Sequence, residues 1–308
     1  MDSIKIFSPS SVANLSCGFD VLGLCLDTVG DEMIIKKSKK PGLRIVKVEG
    51  EDLPLSIEKN VAGIAAKSYL NKFPTDIGIE IEIYKKIKAG SGLGSSAASA
   101  VGAVFGINEL LNRNIKKIDL IPFALEGEKF ASGEVHADNI APAMLGGFSL
   151  IRDLKSLDII ELPSPSELIV TILHPNIELK TSKARAVLKK QVPLNSMIKQ
   201  TANIAGLMCG LYTNNYNLIS RSLNDNVIEK ERSLFIPEFK ILKKFTSEIG
   251  ALGFGISGSG PSVFALSKGL IKAKEVASGF KHIFSKIEIE SDVYISKINS
   301  QGVRKMTQ

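Results

Sequence analysis

The sequence is poor in residues that form metal centres and covalent cross-links. Among its 308 residues there are three cysteines, three histidines and no tryptophan. Cys17, Cys25 and Cys209 are odd in number and widely scattered, so they indicate neither a disulfide framework nor a zinc site. Thiols in this pattern favour a reducing compartment, and we expect a cytoplasmic protein.

Long apolar runs and export signals are also missing. The segment Met1–Phe7 has no basic region followed by an apolar core, so we expect no signal peptide. No apolar stretch has the length that a bilayer requires, so we expect no membrane partner. The 44% hydrophobic and 23% charged residues are ordinary for a globular protein, and the length suits two ordinary domains or one large one.

The excess of positive charge lacks the features of a nucleic-acid-binding surface. The formal net charge is +7, and lysines cluster in the short runs Lys36–Lys40 and Lys85–Lys88. Neither run is interleaved with aromatic residues, so we interpret both as solvated faces and expect no nucleic-acid partner. A basic surface still attracts a small polyanion such as a nucleotide.

A glycine-rich stretch from Lys88 to Ala100 is the most informative part of the chain. It follows the period-two strand pattern of Ile77–Tyr84 and leads into an apolar helix pattern. Its three glycines allow backbone N–H groups to close around an anion, and the helix that begins near Ser95 adds its positive dipole end. No lysine follows the last of these glycines, which excludes a P-loop. Two interpretations remain open, a phosphate cradle and a glycine-rich turn before a core helix.

Two polar loops carry further candidate ligands. The predicted loop Ser8–Asp20 contains Asn14 and Asp20 between two strand patterns, where ligand contacts tend to lie. The second loop contains His136 and Asn139. An Asx-capped turn is the alternative interpretation of the first loop.

Two arginines and a second glycine loop lie in the other half of the chain. Arg185 and Arg232 together can form a clamp for a carboxylate or a phosphate, although either one alone is typical of a protein surface. Gly253–Gly258 matches the dinucleotide pattern Gly-x-Gly-x-x-Gly, but a strand pattern follows it instead of a helix. We therefore interpret Ile256–Pro261 as a hairpin-like loop that lies against a ligand.

Three of these segments, in their order along the chain, resemble the motifs of the GHMP kinase superfamily. They are Ser8–Asp20, Gly90–Ala97 and Ile256–Pro261. The superfamily includes galactokinases and the homoserine, mevalonate and phosphomevalonate kinases. The wider contexts of the first motif, of His136–Pro142 and of the two arginines are similar to the homoserine kinase family, and the resemblance covers essentially the whole chain.

The resemblance implies an α+β fold with two domains. Residues 1–160 are expected to form an N-terminal nucleotide-binding GHMP kinase domain with a left-handed βαβ unit. Residues 161–308 are expected to form a ferredoxin-like C-terminal domain, whose last strand returns to the N-terminal domain. A homodimer is a further expectation from the family.

The resemblance also implies sites for ATP, Mg²⁺ and L-homoserine. The residues implied for ATP are Asn60, Val61, Lys88, Ala89, Gly90, Ser91, Gly92, Leu93, Gly94, Ser95, Ser96 and Ala97. Those implied for Mg²⁺ are Ser96 and Glu128, and those implied for homoserine are Asn14, Asp20, His136, Asn139, Arg185 and Arg232. The residues implied for catalysis are Asn139, Thr181, Ser96 and Glu128.

The chemistry of these side chains fits a zwitterionic alcohol. The two arginines suit a carboxylate, Asp20 suits an ammonium group and Asn139 suits a hydroxyl. Several superfamily members have an aspartate base near the position of Thr181, and a threonine cannot serve as a base at neutral pH. We therefore expect catalysis by positioning and charge stabilisation. Many members also have a proline where this chain has Lys88.

The resemblance thus implies ATP-dependent phosphorylation of L-homoserine to O-phospho-L-homoserine in threonine biosynthesis. One alternative is another small-molecule kinase of the superfamily, of the mevalonate type, but mevalonate has no ammonium group to pair with Asp20. A second alternative is a non-catalytic nucleotide-binding relative, against which the presence of Ser96 and Glu128 argues.

Overall fold

The computed structural model of the chain describes residues 2–306, which form two β-sheets covered by helices. The elements of the first half are β1 Ser3–Ala13, β2 Leu22–Ser38, β3 Leu43–Glu49, α1 Val61–Lys72, β4 Gly78–Tyr84, α2 Ser95–Leu110, α3 Lys117–Ser132, α4 Ile140–Leu145, β5 Phe148–Asp153 and β6 Asp158–Leu162. Those of the second half are β7 Leu168–Pro175, α5 Thr181–Ala186, α6 Leu194–Tyr212, α7 Tyr216–Ser222, α8 Glu229–Arg232, α9 Phe239–Glu248, β8 Gly253–Ile256, β9 Val263–Lys268, α10 Leu270–Phe284, β10 Ser291–Lys297 and β11 Arg304–Lys305.

The first sheet has the strand order β11-β1-β2-β4-β3, with β5 on β2 and β6 on β5. In β4 the isoleucines at 79, 81 and 83 are buried and the glutamates at 80 and 82 are half-buried, as the period-two pattern predicts. Helix α2 is apolar on nearly all sides because it lies between the sheet and helices α1 and α3. Gly102 and Gly106 allow its backbone to lie directly on Met33 and Ile35 of β2.

Strands β3 and β4 are parallel neighbours connected through α1, which makes a βαβ unit. This unit delivers the chain from β4 into the glycine-rich stretch and then into α2. The left-handed crossover implied by the resemblance stays a prediction.

The second sheet is antiparallel, with the strand order β10-β7-β9-β8. In chain order this is fourth, first, third, second, and the βαββαβ succession of strands and helices is that of the ferredoxin-like motif. Phe239, Phe254 and Phe280 pack together between this sheet and helices α9 and α10. The ferredoxin-like half expected from the resemblance is therefore present.

The connection between the two sheets lies close to the predicted division between residues 160 and 161. Strand β6 of the first sheet ends at Leu162, and β7 of the second begins at Leu168. Strand β11 pairs antiparallel with β1, so the end of the chain lies on the first sheet. We propose a domain boundary within residues 163–167, a few residues after the predicted one.

The predicted loop Ser8–Asp20 is shorter than its polar sequence indicates. Strand β1 continues to Ala13, and its register with β2 shifts between Pro9 and Ser11. Its buried serine hydroxyls donate to carbonyls of neighbouring elements, from Ser8 to Ala98 at 2.6 Å and from Ser10 to Val29 at 3.0 Å.

No helix within residues 2–306 combines the length and the apolar character needed to cross a membrane.

Candidate active site

The glycine-rich stretch forms a tight loop between β4 and α2. Its glycines at 90, 92 and 94 all have left-handed φ values, of 69°, 78° and 69°. A Cβ atom on Gly92 would lie 2.5 Å from the Ser257 carbonyl oxygen, and one on Gly94 would lie 2.3 Å from Ser11 Oγ. The loop therefore lies against both halves of the molecule, with backbone groups in place of side chains.

The start of α2 offers hydrogen-bond donors to an anion. Gly94 caps the helix without a side-chain hydrogen bond, and the first intrahelical donor is the N–H of Ala98. The preceding N–H groups of the first turn point along the axis of a 16-residue helix, at its positive end. Ser95 Oγ donates to the Ile87 carbonyl at 2.8 Å, whereas Ser96 Oγ has no protein hydrogen-bond partner among residues 2–306. Ser96 is thus the more available of the two hydroxyls.

A cavity that is open to solvent lies in front of this loop. Both halves of the chain line it, together with the turn after β8. The predicted site residues that line it are Asn14, Asp20, Gly90, Ser91, Gly92, Gly94, Ser95, Ser96, Ala97, Glu128, His136, Asn139, Thr181, Arg185 and Arg232.

Five residues predicted for the nucleotide lie outside the cavity lining: Asn60, Val61, Lys88, Ala89 and Leu93. The side chain of Asn60 caps α1, accepting from the Ala62 N–H at 3.0 Å. Leu93 is buried in the core, and Lys88 Nζ donates to Asn176 at 2.9 Å on another surface. The contacts of these residues with a nucleotide stay predictions.

The loop after β1 has an unusual backbone conformation. Asn14, Leu15 and Ser16 have positive φ values in succession, and Asp20 has a φ of 61°. The Asn14 side chain holds this loop by accepting from the Asp20 N–H at 3.0 Å and donating to the Gly258 carbonyl at 2.8 Å. Left-handed non-glycine residues concentrate at functional sites, where the surrounding structure compensates their strain. The loop presents the Asp20 carboxylate to the cavity.

Asp20 and Arg185 form a bidentate ion pair within the cavity lining. Both terminal nitrogens of the guanidinium donate to the carboxylate, at distances of 2.9 to 3.1 Å. Arg185 also lies 2.9 Å from His136 Nε2 and, through its Nε, 3.3 Å from Glu134. The side chains predicted for the two opposite charges of a substrate are therefore adjacent.

Arg232 supplies a second, more deeply buried guanidinium. It is 3% exposed and donates to the carbonyls of Ala184 and Gly258. Among residues 2–306 it forms no ion pair with an acidic side chain. Burial and, secondarily, the neighbouring Arg185 lower the pKa of Arg232 to about 10, so the group is charged at neutral pH. A substrate carboxylate is the natural partner for such a group.

The ring of Phe19 lies under both arginines. The guanidinium carbon is 5.3 Å from the ring centroid for Arg185 and 4.9 Å for Arg232. Stacking of planar guanidinium groups on an aromatic face fixes their orientation and partly compensates their mutual repulsion.

Two carboxyl groups line the cavity without a direct ion pair among residues 2–306, Asp138 buried and Glu128 half-buried. Desolvation raises the pKa of Glu128 to about 7. Burial and then the charges of Asp20 and Glu128 raise the pKa of Asp138 to about 7. Glu128 faces the same cavity as Ser96, and hard oxygen ligands of this kind suit Mg²⁺ together with phosphate oxygens and water. The residues present fit a magnesium ion at this position.

The amide of Asn139 is oriented by the first strand. Its Oδ1 accepts from Ser11 Oγ at 2.8 Å, which leaves Nδ2 available as a donor to the cavity. Thr181 lies across the cavity, with its hydroxyl 3.5 Å from that of Ser259.

Sequence reasoning missed three residues of this site: Ser11, Phe19 and Asp138. Asp138 had a signal, because it directly precedes a predicted ligand, but spacing alone does not reveal its burial between two other carboxylates. Ser11 and Phe19 lie within the Ser8–Asp20 motif, but they act through contacts with residues more than 100 positions away, so the motif alone does not give their roles.

Comparison with known proteins establishes the family. Residues 59–147 match the model for the GHMP kinases N terminal domain, and residues 207–286 match the model for the GHMP kinases C terminal domain. A homoserine kinase of Chloroherpeton thalassium is 41% identical over 317 residues, with 99% of each chain covered. The chain belongs to the homoserine kinase family of the GHMP kinases.

Two further members of the family support this assignment. A homoserine kinase of Methanococcus vannielii is 37% identical over 302 residues, which cover 97% of both chains. The crystal structure of a homoserine kinase from Cytophaga hutchinsonii has a TM-score of 0.96 and 47% identity, and covers 99% of this chain and 98% of that one. The family and the two-domain GHMP kinase fold predicted from the motifs are confirmed.

Proposed function

We propose that the protein transfers the γ-phosphoryl group of ATP to the side-chain hydroxyl of L-homoserine and so makes O-phospho-L-homoserine for threonine biosynthesis. One observation carries this proposal. A pocket with one carboxylate and two arginines opens onto a backbone anion cradle at the start of α2. A zwitterionic amino acid and a polyphosphate are the ligands that match these two neighbouring charge patterns.

The amino-acid end of the substrate is bound by exchange of ionic partners. Arg185 is paired with Asp20, and the adjacent Arg232 lacks an acidic partner among the described residues. A carboxylate that joins the two guanidinium groups leaves Asp20 available for an ammonium group, so both substrate charges are compensated together. Asn14 and His136 border the same charges and complete the pocket. An alcohol with a carboxylate alone leaves Asp20 in a pocket without a matching cation.

Ser96 and Glu128 would hold Mg²⁺, which would supply positive charge to offset the negative charge of the phosphates. The glycine loop and the first turn of α2 hold the phosphate oxygens through backbone N–H groups. Asn60 and Val61 contact the adenine, and Lys88, Ala89 and Leu93 extend the nucleotide site in this proposal.

The substrate hydroxyl is oriented by Asn139 Nδ2, since Oδ1 is held by Ser11. We assign the hydroxyl proton to Asp138, because its carboxyl group lines the same cavity as Asn139 and burial raises its pKa to about 7. The hydroxyl oxygen bonds to the γ-phosphorus as the bond to the ADP oxygen breaks. Thr181 contributes a hydrogen bond and no base.

The decisive experiment measures ADP release with Mg-ATP and a panel of L-homoserine, mevalonate, galactose and shikimate. Turnover with homoserine alone is expected. Turnover with another alcohol instead contradicts the assignment of homoserine as the substrate. Nucleotide binding without turnover on any substrate contradicts the assignment of kinase activity and favours a non-catalytic relative. A homodimer and a cytoplasmic location are part of the same proposal, and sedimentation of the purified protein tests the dimer.

A further inference from the structure

An ion pair lies beneath the glycine loop, outside the cavity. Asp31 of β2 and Lys85 at the end of β4 pair directly, and their side chains are 0% and 1% exposed. Removing two charges from water carries a large desolvation cost, and an apolar pair of similar size is often as stable. The position of this pair relative to the loop gives it a further role.

Asp31 holds the start of the loop. Its Oδ1 accepts from the backbone N–H groups of Lys86 at 2.8 Å and Ile87 at 3.0 Å, while its Oδ2 accepts from Lys85 Nζ. These two N–H groups belong to the residues immediately before Lys88, where the glycine-rich stretch begins. The carboxylate therefore fixes the direction in which the chain leaves β4.

Lys85 holds the end of the loop. Besides Asp31, its ammonium group donates to the Ser95 carbonyl at 3.2 Å and to Ser99 Oγ at 3.0 Å, both in the first turns of α2. All three ammonium protons thus have acceptors. Ser95 Oγ closes the base of the loop by donating to the Ile87 carbonyl at 2.8 Å.

The location of the lysine also argues against a purely structural role. The Lys85 ammonium group lies near the positive end of α2, where a cation is unfavourable on its own. The carboxylate of Asp31 offsets this repulsion. The combination places almost no net charge under the loop but restrains both of its ends. Ser95 is held facing inward, so the neighbouring Ser96 and the first-turn N–H groups face the cavity.

We propose that Asp31 and Lys85 are positioning residues for the nucleotide: together they form a loop clamp that preorganises the glycine loop for the phosphates of ATP. This inference rests on the proposed function, in which that loop binds ATP. Neither side chain contacts the cavity, so the clamp acts through backbone geometry.

The test is the double variant Asp31→Asn/Lys85→Met, which removes both charges and leaves no lone buried ion. We expect the KM for ATP and the Kd for ADP, measured by calorimetry, to rise about tenfold through loss of several hydrogen bonds, with the KM for homoserine changed less than about twofold. The matched control is Ile81→Val, a buried substitution in the same strand β4 that lowers stability without touching the clamp. It should leave both nucleotide constants unchanged.

Ser99→Ala provides a milder variant if the double variant does not fold. It removes one acceptor of Lys85, and we expect a rise of about threefold in the Kd for ADP. An unchanged Kd for ADP in a folded variant, or an equal rise in the KM for homoserine, overturns the loop clamp. Failure of the wild-type protein to phosphorylate homoserine overturns the proposed function instead, because ADP binding is measured without that substrate.

Discussion

Arg185 on α5 and Asp20 in the loop after β1 form a two-pronged ion pair, although 165 residues separate them in the sequence. Each residue is predicted to bind one charge of the same substrate, the carboxylate and the ammonium group. Binding of either substrate charge alone breaks the pair and leaves one of its members uncompensated. The pair therefore favours molecules that carry both charges at the spacing of an amino acid.

The first prediction concerns the substrate ammonium group. We expect wild-type kcat/KM for L-homoserine to exceed that for 4-hydroxybutyrate, which lacks only the amino group, by about 10- to 100-fold, because charged hydrogen bonds contribute about 1.5–3 kcal/mol. In Asp20→Asn this preference should shrink to a few-fold, as measured by steady-state kinetics with both substrates. An undiminished preference would show that Asp20 does not bind the ammonium group.

The same variant separates binding from proton transfer. If Asp20 binds the substrate, Asp20→Asn raises the KM for homoserine more than it lowers kcat. Loss of kcat with the KM retained would instead make Asp20 the base and contradict the assignment of Asp138.

The second prediction concerns Glu128. Glu128→Gln removes the charge of the proposed magnesium ligand, and we expect the Mg²⁺ concentration for half-maximal activity to rise at least about tenfold. The KM for homoserine should change much less. The matched control is Glu126→Gln, on the exposed side of the same helix α3, which should leave the Mg²⁺ titration unaltered. Equal titrations for the two variants would remove Glu128 from the metal site.

The third prediction links Asp138 to pH. Its pKa is raised to about 7 from an ordinary value of 3.8, so the native protein binds this proton more tightly than the unfolded chain does. The ionised side chain therefore costs stability above pH 7, and this cost disappears as the pH falls towards 4. We expect Asp138→Asn to stabilise the magnesium- and nucleotide-free protein by about 1–3 kcal/mol at pH 8 and much less at pH 4.

Urea unfolding at the two pH values measures this difference. The same variant should lose most of its turnover, because the proposed proton acceptor is gone. Full activity combined with the expected stabilisation would support the raised pKa of buried Asp138 and contradict its role as the proton acceptor.

The fourth prediction concerns the aromatic ring under the two arginines. Phe19→Leu keeps an apolar side chain but removes the ring face, and we expect the KM for homoserine to rise about three- to tenfold, from a loss of about 1 kcal/mol. The KM for ATP should stay within about twofold. Phe235→Leu is the control, since Phe235 lies 5.7 Å from Lys183 and does not line the cavity. A similar effect of both substitutions would indicate general destabilisation and would contradict a specific role of the Phe19 ring.

The sequence by itself determined the features that depend on neighbouring residues. The isoleucine alternation of β4 predicts its buried face, and the spaced glycines predict a tight loop, because both follow from backbone geometry over a few residues. The order of strand, glycine loop and helix, with the motifs at 8–20 and 256–261, was sufficient to identify the family. By contrast, the prediction that the ligand-binding residues share one cavity came from the family resemblance and not from any local sequence pattern.

Only the tertiary structure decided which side chains act on one another. The polar serines that begin at Ser8 predict a loop, but β1 continues to Ala13. The strand is stable there because carbonyl groups of distant elements accept hydrogen bonds from the buried serine hydroxyls. No single segment of the sequence shows which side chains become buried. Burial raises the pKa of Asp138, and the packing of β2, β4 and α2 brings the residues of the loop clamp together beneath the glycine loop. The pairing of Asp20 with Arg185 likewise depends on how the two halves pack. Local periodicity determines the elements, whereas desolvation and long-range contacts determine the chemistry of the site.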